Sequence, residues 1–270
     1  MGGLEHPAYG LLRPVTETAS VLLCDNPGLM TLEGTNTWVL RGSGSNEMVV
    51  LDPGPDDEDE HIERLAALGP IPLVLISHRH PDHTGGIDRI VELTGAVVRS
   101  VGSGFLRGMG GPLTDGEVID AAGLRITVMA TPGHTADSLS FLVDDVGGER
   151  GDRTGAVLTA DTILGRGTTV IDQEDGDLGD YLESLRRLHG LGHRTVLPGH
   201  GPELDDIVAV SETYLAHREQ RLGQVRAAVR DLGEDVSSRE VVEHVYGDVD
   251  EKLWDAAEWS VQAQLKYLRR

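Results

Sequence analysis

The sequence has a single cysteine, Cys24, among its 270 residues. A disulfide framework within the chain and a cysteine-rich zinc module are therefore both excluded. Its longest apolar runs, such as Ile71–Ile76, are far too short for a helix that spans a bilayer. Residues 1–13 lack a basic flank followed by an apolar run, so no secretory signal is predicted and the cytoplasm is the expected location.

Positive charge is also scarce. There are 23 lysines and arginines against 45 aspartates and glutamates, which gives a net charge of −22, and only Lys252 and Lys266 are lysines. A field of this sign repels polyanions, so a protein that coats nucleic acid is disfavoured. A local basic or metal-charged cleft remains compatible with this charge.

Apolar content is 39%, enough for a sizeable core in a chain of this length. Nine apolar runs have the length of strands: Ser20–Leu23, Thr37–Leu40, Met48–Leu51, Leu73–Ile76, Ala96–Val98, Ile126–Met129, Ser138–Val143, Ala156–Leu158 and Thr195–Leu197. Helical patterns lie between some of them, at Glu58–Leu68, Ile87–Thr94 and Leu178–Leu188. Strands mixed with helices in this order predict an α/β layered domain.

The pattern changes at Asp206, where apolar residues begin to recur at the three- and four-residue spacing of a long amphipathic helix that extends to Leu232. A break at Gly233–Ser238 is followed by two more helical patterns, Ser238–Tyr246 and Leu253–Leu268. The sequence therefore predicts a main domain over residues 1–205 and a helical C-terminal appendage over residues 206–270.

Three of the eleven histidines fall within six residues, in the segment His78-Arg79-His80-Pro81-Asp82-His83. This segment follows an apolar run that looks like a fully buried strand. In a tight turn, residues two and three apart can present their side chains to one point. Imidazole and carboxylate ligands suit Zn²⁺, or Fe and Mn, so the segment predicts a metal site.

Three further residues of the right chemistry also follow strand-like runs: His134, Asp161 and His200. Sites in α/β sheets gather beyond the carboxyl ends of the strands. The sequence therefore predicts that four distant segments converge on one metal centre. The remaining histidines outside the long helix have no partner pattern and are predicted to lie on the surface: His6, His61, His189, His193 and His244.

These seven positions resemble the ligand pattern of the metallo-β-lactamase-fold hydrolases, over about residues 20–205. The resemblance implies a four-layer αβ/βα sandwich that holds two Zn²⁺ ions, with Fe or Mn also compatible. It implies one ion on His78, His80 and His134, the other on Asp82, His83 and His200, and Asp161 bridging the two.

The segments Met30–Trp38 and Ser77–Gly86, together with Tyr214–Arg218 in the long helix, resemble the beta-lactamase-like protein 2 branch of these hydrolases. That branch implies a partly winged-helix-like C-terminal appendage. β-Lactamases with a cysteine ligand need that cysteine where Asp161 stands, so little activity on β-lactams is expected.

Two metals would lower the pKa of a bridging water, and the resulting hydroxide would attack the substrate. Asp82 and Asp161 are thus the expected catalytic carboxylates. A small ester or thioester is the favoured substrate. One alternative function is that of a single-strand endoribonuclease, as the resembled branch implies, with single-stranded RNA as the substrate. Another is that of a non-enzymatic metal-fold binding protein. The sequence leaves the oligomeric state open.

Further candidates lie around this centre. Asp52, at another strand end, is expected to hold a ligating histidine from behind, with a turn-capping role as the alternative. Arg166 follows Asp161 closely in the chain, so it is expected to reach the mouth of the cleft. There it could bind an anionic group of the substrate; a surface loop is the alternative. Three more candidate substrate contacts have helix packing and solvent exposure as the alternative: Tyr181, His217 and Arg218.

Overall fold

The computed structural model describes residues 8–144, 155–247 and 254–270, and its strands form two mixed sheets. The first sheet has six strands in chain order: β1 (Leu12–Pro14), β2 (Ala19–Leu23), β3 (Asn36–Leu40), β4 (Val49–Leu51), β5 (Leu73–Leu75) and β6 (Val97–Arg99). The second has five, also in chain order: β7 (Val118–Ala121), β8 (Leu124–Ala130), β9 (Leu139–Asp144), β10 (Ala156–Ala160) and β11 (Thr195–Pro198).

Most neighbouring strands are antiparallel. The parallel pairs are β4 with β5, β5 with β6, and β10 with β11. The carboxyl ends of parallel strands lie at the same edge of a sheet, so the residues that follow these strands come close together.

Helices cover both outer faces. Those around the first sheet are α1 (Asp59–Ala67), the short α2 (Pro81–Thr84) and α3 (Ile87–Thr94). The others are α4 (Leu178–His189), α5 (Ile207–Leu232), α6 (Ser238–Val245) and α7 (Trp254–Leu268). Because α1 and α3 pack on the first sheet while α4 and α5 pack on the second, the four-layer sandwich implied by the resemblance is confirmed.

Alternation along the strands builds these layers. In β4, Val49 and Leu51 enter the core between the sheets, whereas Val50 faces α1 and α3. In β10, Leu158 enters the same inter-sheet core and Val157 faces α4. Successive side chains of a strand point to opposite faces, so a strand covered on both sides reads as a continuous apolar run.

All nine runs predicted as strands are strands, with ends shifted by at most two residues. The predicted helices are also present, and the long one begins at Ile207 with Asp206 as its N-cap. Of the last predicted helix, Leu253 lies outside the described residues. The sequence analysis missed β1, β7 and α2.

Helix α5 contributes to two hydrophobic cores, one in the main domain and one in the C-terminal appendage. Tyr214 and Leu222 belong to the core under α4 and α5, whereas Val225 and Ala228 belong to a separate small core with α6 and α7. The boundary between residues 205 and 206 stays a prediction, since one helix serves both cores. Within the described part of the chain, every helix is too short or too polar to cross a bilayer.

His61 was predicted to lie on the surface, and that prediction is wrong. Its side chain on α1 is buried, and its Nε2 lies 2.9 Å from Thr37 Oγ1, which donates in turn to the backbone oxygen of Asp52. The sequence did not reveal this buried position because His61 directly follows acidic residues that lie on the exposed side of α1. Of the others, His193 and His244 are exposed, His189 is partly exposed, and His6 lies outside the described residues.

The burial of His61 predicts a pH-dependent stability. Burial, aided by the Arg64 charge, lowers the pKa of His61 to about 4. As the pH falls from 6.5 towards 4, the unfolded chain takes up a proton that the folded chain refuses. The free energy of unfolding is therefore expected to fall by about 3 kcal/mol through this group. Urea unfolding of the metal-free protein across this range should show a smaller loss for His61→Gln. Equal losses in both proteins would contradict the prediction.

Candidate metal centre

The seven candidate ligands lie at one edge of the sandwich, beyond the ends of four strands. His78, His80 and the turn into α2 follow β5 of the first sheet. Three ligands follow β8, β10 and β11 of the second sheet: His134, Asp161 and His200. His80 is the N-cap of α2, with Pro81 at the first helical position, where its fixed φ suits the turn. The convergence that the sequence predicted is therefore present in the fold.

Three histidines form the first group. His80 Nδ1 lies 3.0 Å from both His78 Nε2 and His134 Nε2. Imidazole nitrogens at 2.0–2.1 Å from one tetrahedral ion would be about 3.4 Å apart. The three nitrogens therefore have nearly the spacing that one bound ion requires.

The second group consists of Asp82, His83 and His200. Asp82 Oδ2 lies 3.3 Å from His83 Nε2 and 3.2 Å from His200 Nε2. Asp161 lies between the two groups: its carboxylate is 3.5 Å from His83 Nε2, 3.4 Å from His200 Nε2 and 3.7 Å from His134 Nε2. This carboxylate is thus within reach of both groups.

The residues present fit a metal. His83 Nε2 and Asp161 Oδ1 are buried and have no hydrogen-bond partner among the residues that the structure describes. Buried polar atoms of native proteins are rarely left without a partner, and both of these atoms face the centre. Five imidazoles and two carboxylates are ligands that Zn²⁺, Fe and Mn accept.

The charge of the centre also suits a cation. Burial lowers the pKa of His78 and His134, which keeps these imidazoles in the neutral form that binds a metal. Burial opposes ionisation of Asp82 and Asp161, but the neighbouring histidines outweigh it and lower both pKa values. Burial likewise opposes protonation of His200, yet Asp161 and Asp82 raise its pKa to about 9. The carboxylates thus attract positive charge into this buried space.

Asp52 lies behind the centre and supports one ligand of each group. Its carboxylate accepts hydrogen bonds from the Ser77 backbone N–H at 2.8 Å and the Ser77 hydroxyl at 2.6 Å, and it lies 2.9 Å from His83 Nδ1. The Ser77 hydroxyl is also 2.9 Å from His78 Nδ1, so it accepts from that nitrogen while donating to Asp52. One buried carboxylate therefore orients His83 directly and His78 through Ser77.

Comparison with known proteins identifies the family at this point. Residues 30–200 match the family model of the Metallo-beta-lactamase superfamily. This chain belongs to that superfamily. Residues 237–270 match a second model, the beta-lactamase associated winged helix domain, in agreement with the partly winged-helix-like appendage expected from sequence.

Curated relatives in the superfamily include the beta-lactamase-like protein 2 homologs of Caenorhabditis elegans and Drosophila melanogaster. They are 32% and 30% identical to this chain; each match covers 95% of it, and 86% and 89% of the relatives. The expected resemblance to that branch is thus confirmed.

Solved structures agree on the fold. A metallo-beta-lactamase family protein from Thermus thermophilus has a TM-score of 0.74 at 22% identity, covering 94% of both chains. A beta-lactamase domain protein from Burkholderia ambifaria has a TM-score of 0.79 at 20% identity, covering 98% of this chain and 90% of its own.

The segment Met30–Trp38, which carried part of the branch resemblance, braces the turn that presents His200. Asn36 Nδ2 donates to the backbone oxygens of Pro198 and Gly201, at 3.0 and 2.8 Å. Trp38 Nε1 also donates to Pro198, at 2.9 Å. The first sheet is thereby tied to a ligand carried by the second.

Gly199, just before His200, leaves room for the Asp161 carboxylate. A Cβ at this position would lie 2.4 Å from Asp161 Oδ1 and 3.0 Å from His83 Cε1. Only glycine leaves that space free, so the Pro198-Gly199-His200 turn needs its central residue for the metal centre itself.

Sequence reasoning missed Asp172. Its Oδ2 lies 3.0 Å from His80 Nε2, and its Oδ1 accepts from Arg79 at 2.8 Å and from the Glu174 backbone N–H at 2.7 Å. Histidine ligands of metal proteins commonly hand their second nitrogen to such a carboxylate. Asp172 follows no strand, and only the fold brings it to His80.

The four candidate substrate contacts lie outside the seven-residue cluster. Arg166 is half exposed and pairs with Glu33. Tyr181 is fully buried, and its hydroxyl donates to the Thr162 backbone oxygen at 2.8 Å. Arg218 is buried with its guanidinium 5.0 Å from the centre of the Tyr181 ring, while His217 is half-buried beside Arg221. Because α4 and α5 pack together, they enclose Tyr181 and Arg218, which differs from the substrate contact considered for them.

Proposed function

We propose that this chain is a dinuclear zinc-dependent hydrolase of a small ester or thioester. The observation that carries the proposal is the position of Asp161 between two groups of three metal-competent side chains. Two divalent ions held there would supply a Lewis acid for the scissile carbonyl and a source of activated water at neutral pH.

The protein's own residues hold and orient this centre. Asp82 and Asp161 provide negative charge, and their lowered pKa values keep them ionised at neutral pH. Asp52 fixes His83 and, through Ser77, His78. These contacts keep the donor atoms directed at one point without rearrangement during a reaction, which is the preorganisation that catalysis requires.

A thiol nucleophile from the chain itself is not supported. Cys24 is fully buried, and burial raises the pKa of its thiol far above the usual range. A buried neutral thiol is a poor nucleophile, which favours water as the attacking group.

A cavity beside the turn that follows His200 has room for a small substrate with an apolar portion, and its lining includes none of the seven candidate ligands. Its volume is about 240 Å³, room for about eight groups of the size of a water molecule. Leu11, Val21, Leu23 and Pro202 form its apolar walls, and Arg166 lies at its boundary. Pro202 is two residues from His200, so this cavity lies close along the chain to the second group.

A single-strand endoribonuclease is the second candidate, and one observation favours it: the winged-helix model matches residues 237–270. Charge argues against it, because the chain carries a net charge of −22 and residues 211–270 contain nine basic and twelve acidic side chains. An acidic surface weakens the attraction to RNA phosphates.

The test is hydrolysis by zinc-loaded protein of an acyl-thioester and ester panel, of a fluorescent single-stranded RNA and of nitrocefin. His80→Ala, purified in the same way, is the control. Turnover of esters or thioesters by the wild type alone is the expected result. RNA cleavage alone would indicate a phosphodiesterase instead of an esterase. Efficient nitrocefin hydrolysis would contradict the low β-lactam activity expected for this branch. Two bound ions without turnover on any substrate would favour the non-enzymatic binding protein.

A further inference from the structure

The segment 169–177 braces the first group of ligands from outside. The Val170 backbone oxygen accepts from His134 Nδ1 at 2.6 Å, and the Asp172 carboxylate lies 3.0 Å from His80 Nε2. The backbone N–H of Asp172 also donates to the His134 oxygen at 2.9 Å. This one segment thus fixes the second nitrogen of two of the three histidines.

The opposite side of the same segment is held by the C-terminal helices. Arg218 of α5 donates to the Thr169 backbone oxygen. Two residues of α7 and Arg270 beyond its end continue the contact: Gln262 with Gln173 at 3.1 Å, Lys266 with the Gly176 backbone oxygen at 3.4 Å, and Arg270 with the Asp177 carboxylate.

We infer that the C-terminal helices are part of the support of the metal centre. By holding 169–177, they fix Val170 and Asp172, which in turn fix His134 and His80. Asp172 is thus a positioning residue, and Arg270, Lys266 and Gln262 act through its segment. The inference rests on the proposed two-metal centre.

The second group has different supports. His83 is held by Asp52, which follows a strand of the first sheet, and His200 Nδ1 lies 3.1 Å from the Gly34 backbone oxygen. Neither partner belongs to the segment that the C-terminal helices hold. Loosening the contacts that α7 and Arg270 make with this segment should therefore weaken binding of the first-group ion and spare the other, whereas general destabilisation would affect both.

Zinc affinity, measured by competition with a chromophoric chelator, tests this asymmetry. His80→Ala identifies which of the two binding steps belongs to the first group. Asp172→Asn is expected to weaken that step by about 10- to 100-fold and to leave the other unchanged. Asp120→Asn is the matched control, because Asp120 also pairs with an arginine, Arg125, but lies outside the segment 169–177.

The helices are tested by Gln262→Ala, Lys266→Gln and Arg270→Gln combined, since each contact is partly exposed and weak alone. The combined variant is expected to lower the zinc affinity of the first group by roughly 10-fold. This is the lower end of the loss in affinity that follows when a metal ligand loses its hydrogen-bond partner. Arg269→Gln is its control, because the partners of Arg269 in the described part of the chain, Glu234 and Val236, lie within the appendage. Adding Asp172→Asn to the combined variant should weaken the step by less than the product of the two separate effects.

Two results would overturn the inference: a combined variant with both zinc steps unchanged, or one with both steps weakened equally. If that variant does not fold, Arg270→Gln against Arg269→Gln makes the same comparison with a smaller effect. Wild-type protein that binds no zinc would contradict the proposed function as well. A selective loss of the first step in a protein without hydrolase activity would uphold the inference and contradict only the proposed function.

Discussion

Replacing His80 with alanine is expected to reduce hydrolysis by more than about 100-fold, beyond the usual cost of losing an outer partner of a ligand. His80 Nδ1 is the atom nearest to both other nitrogens of the first group, at 3.0 Å from each. Without it, two neutral imidazoles remain, and one of the two ions should be lost from the purified protein.

The fold should survive this change. The His80 side chain is 23% exposed and lies at the start of a four-residue helix, outside the hydrophobic cores. Circular dichroism and metal analysis, beside kcat/KM, separate loss of the site from loss of structure. His189→Ala is the matched control, since His189 is a partly exposed histidine that pairs with Glu212 away from the candidate ligands. Full turnover by His80→Ala would remove the basis of the site assignment.

The second large effect is expected at Asp52. Asp52→Asn keeps the shape and removes the charge of a carboxylate that is 1% exposed and contacts Ser77 and His83. Burial opposes protonation of His83, but Asp82, Asp161 and Asp52 raise its pKa well above the usual value, so the change takes an anion from a buried pair. Breaking such a pair costs on the order of 3–5 kcal/mol. Zinc affinity should also fall by about 10- to 100-fold.

Asparagine is the informative replacement because Asp52 has a φ of +55°, a left-handed conformation that costs asparagine less than alanine. Denaturant unfolding of the metal-free protein measures the loss of stability. Asp52→Ala should lose more, through added backbone strain. An Asn variant as stable as the wild type, with unchanged zinc affinity, would show that Asp52 only caps its turn.

Much of the fold could be read from hydrophobic patterning, because strands covered on both faces, such as β4 and β10, appear as unbroken apolar runs. β1 escaped because its three residues are all exposed and end in Pro14, and β7 because alternate residues face solvent. α2 is a single turn, too short to show a helical period.

The seven candidate ligands could be found from the sequence because they follow predicted strands. Residues that follow strands gather at the same edge of an α/β domain. Asp172 gives no such signal: it lies in an acidic loop, and its contact with His80 depends on how α5 and α7 hold that loop. Tyr181 and Arg218 were candidates for substrate contact with helix packing as the alternative, and the sequence could not choose because it does not reveal which helix encloses them.

The ligands come from both sheets, so the centre can form only after the two halves of the sandwich have docked. An ion that binds only this docked state adds stability in proportion to the logarithm of its free concentration. Because its contacts form late, it should slow unfolding and leave the folding rate nearly unchanged. Proteases act on the opened chain, so in a zinc-poor cell this protein should be degraded faster, and metal supply would set its abundance as well as its activity.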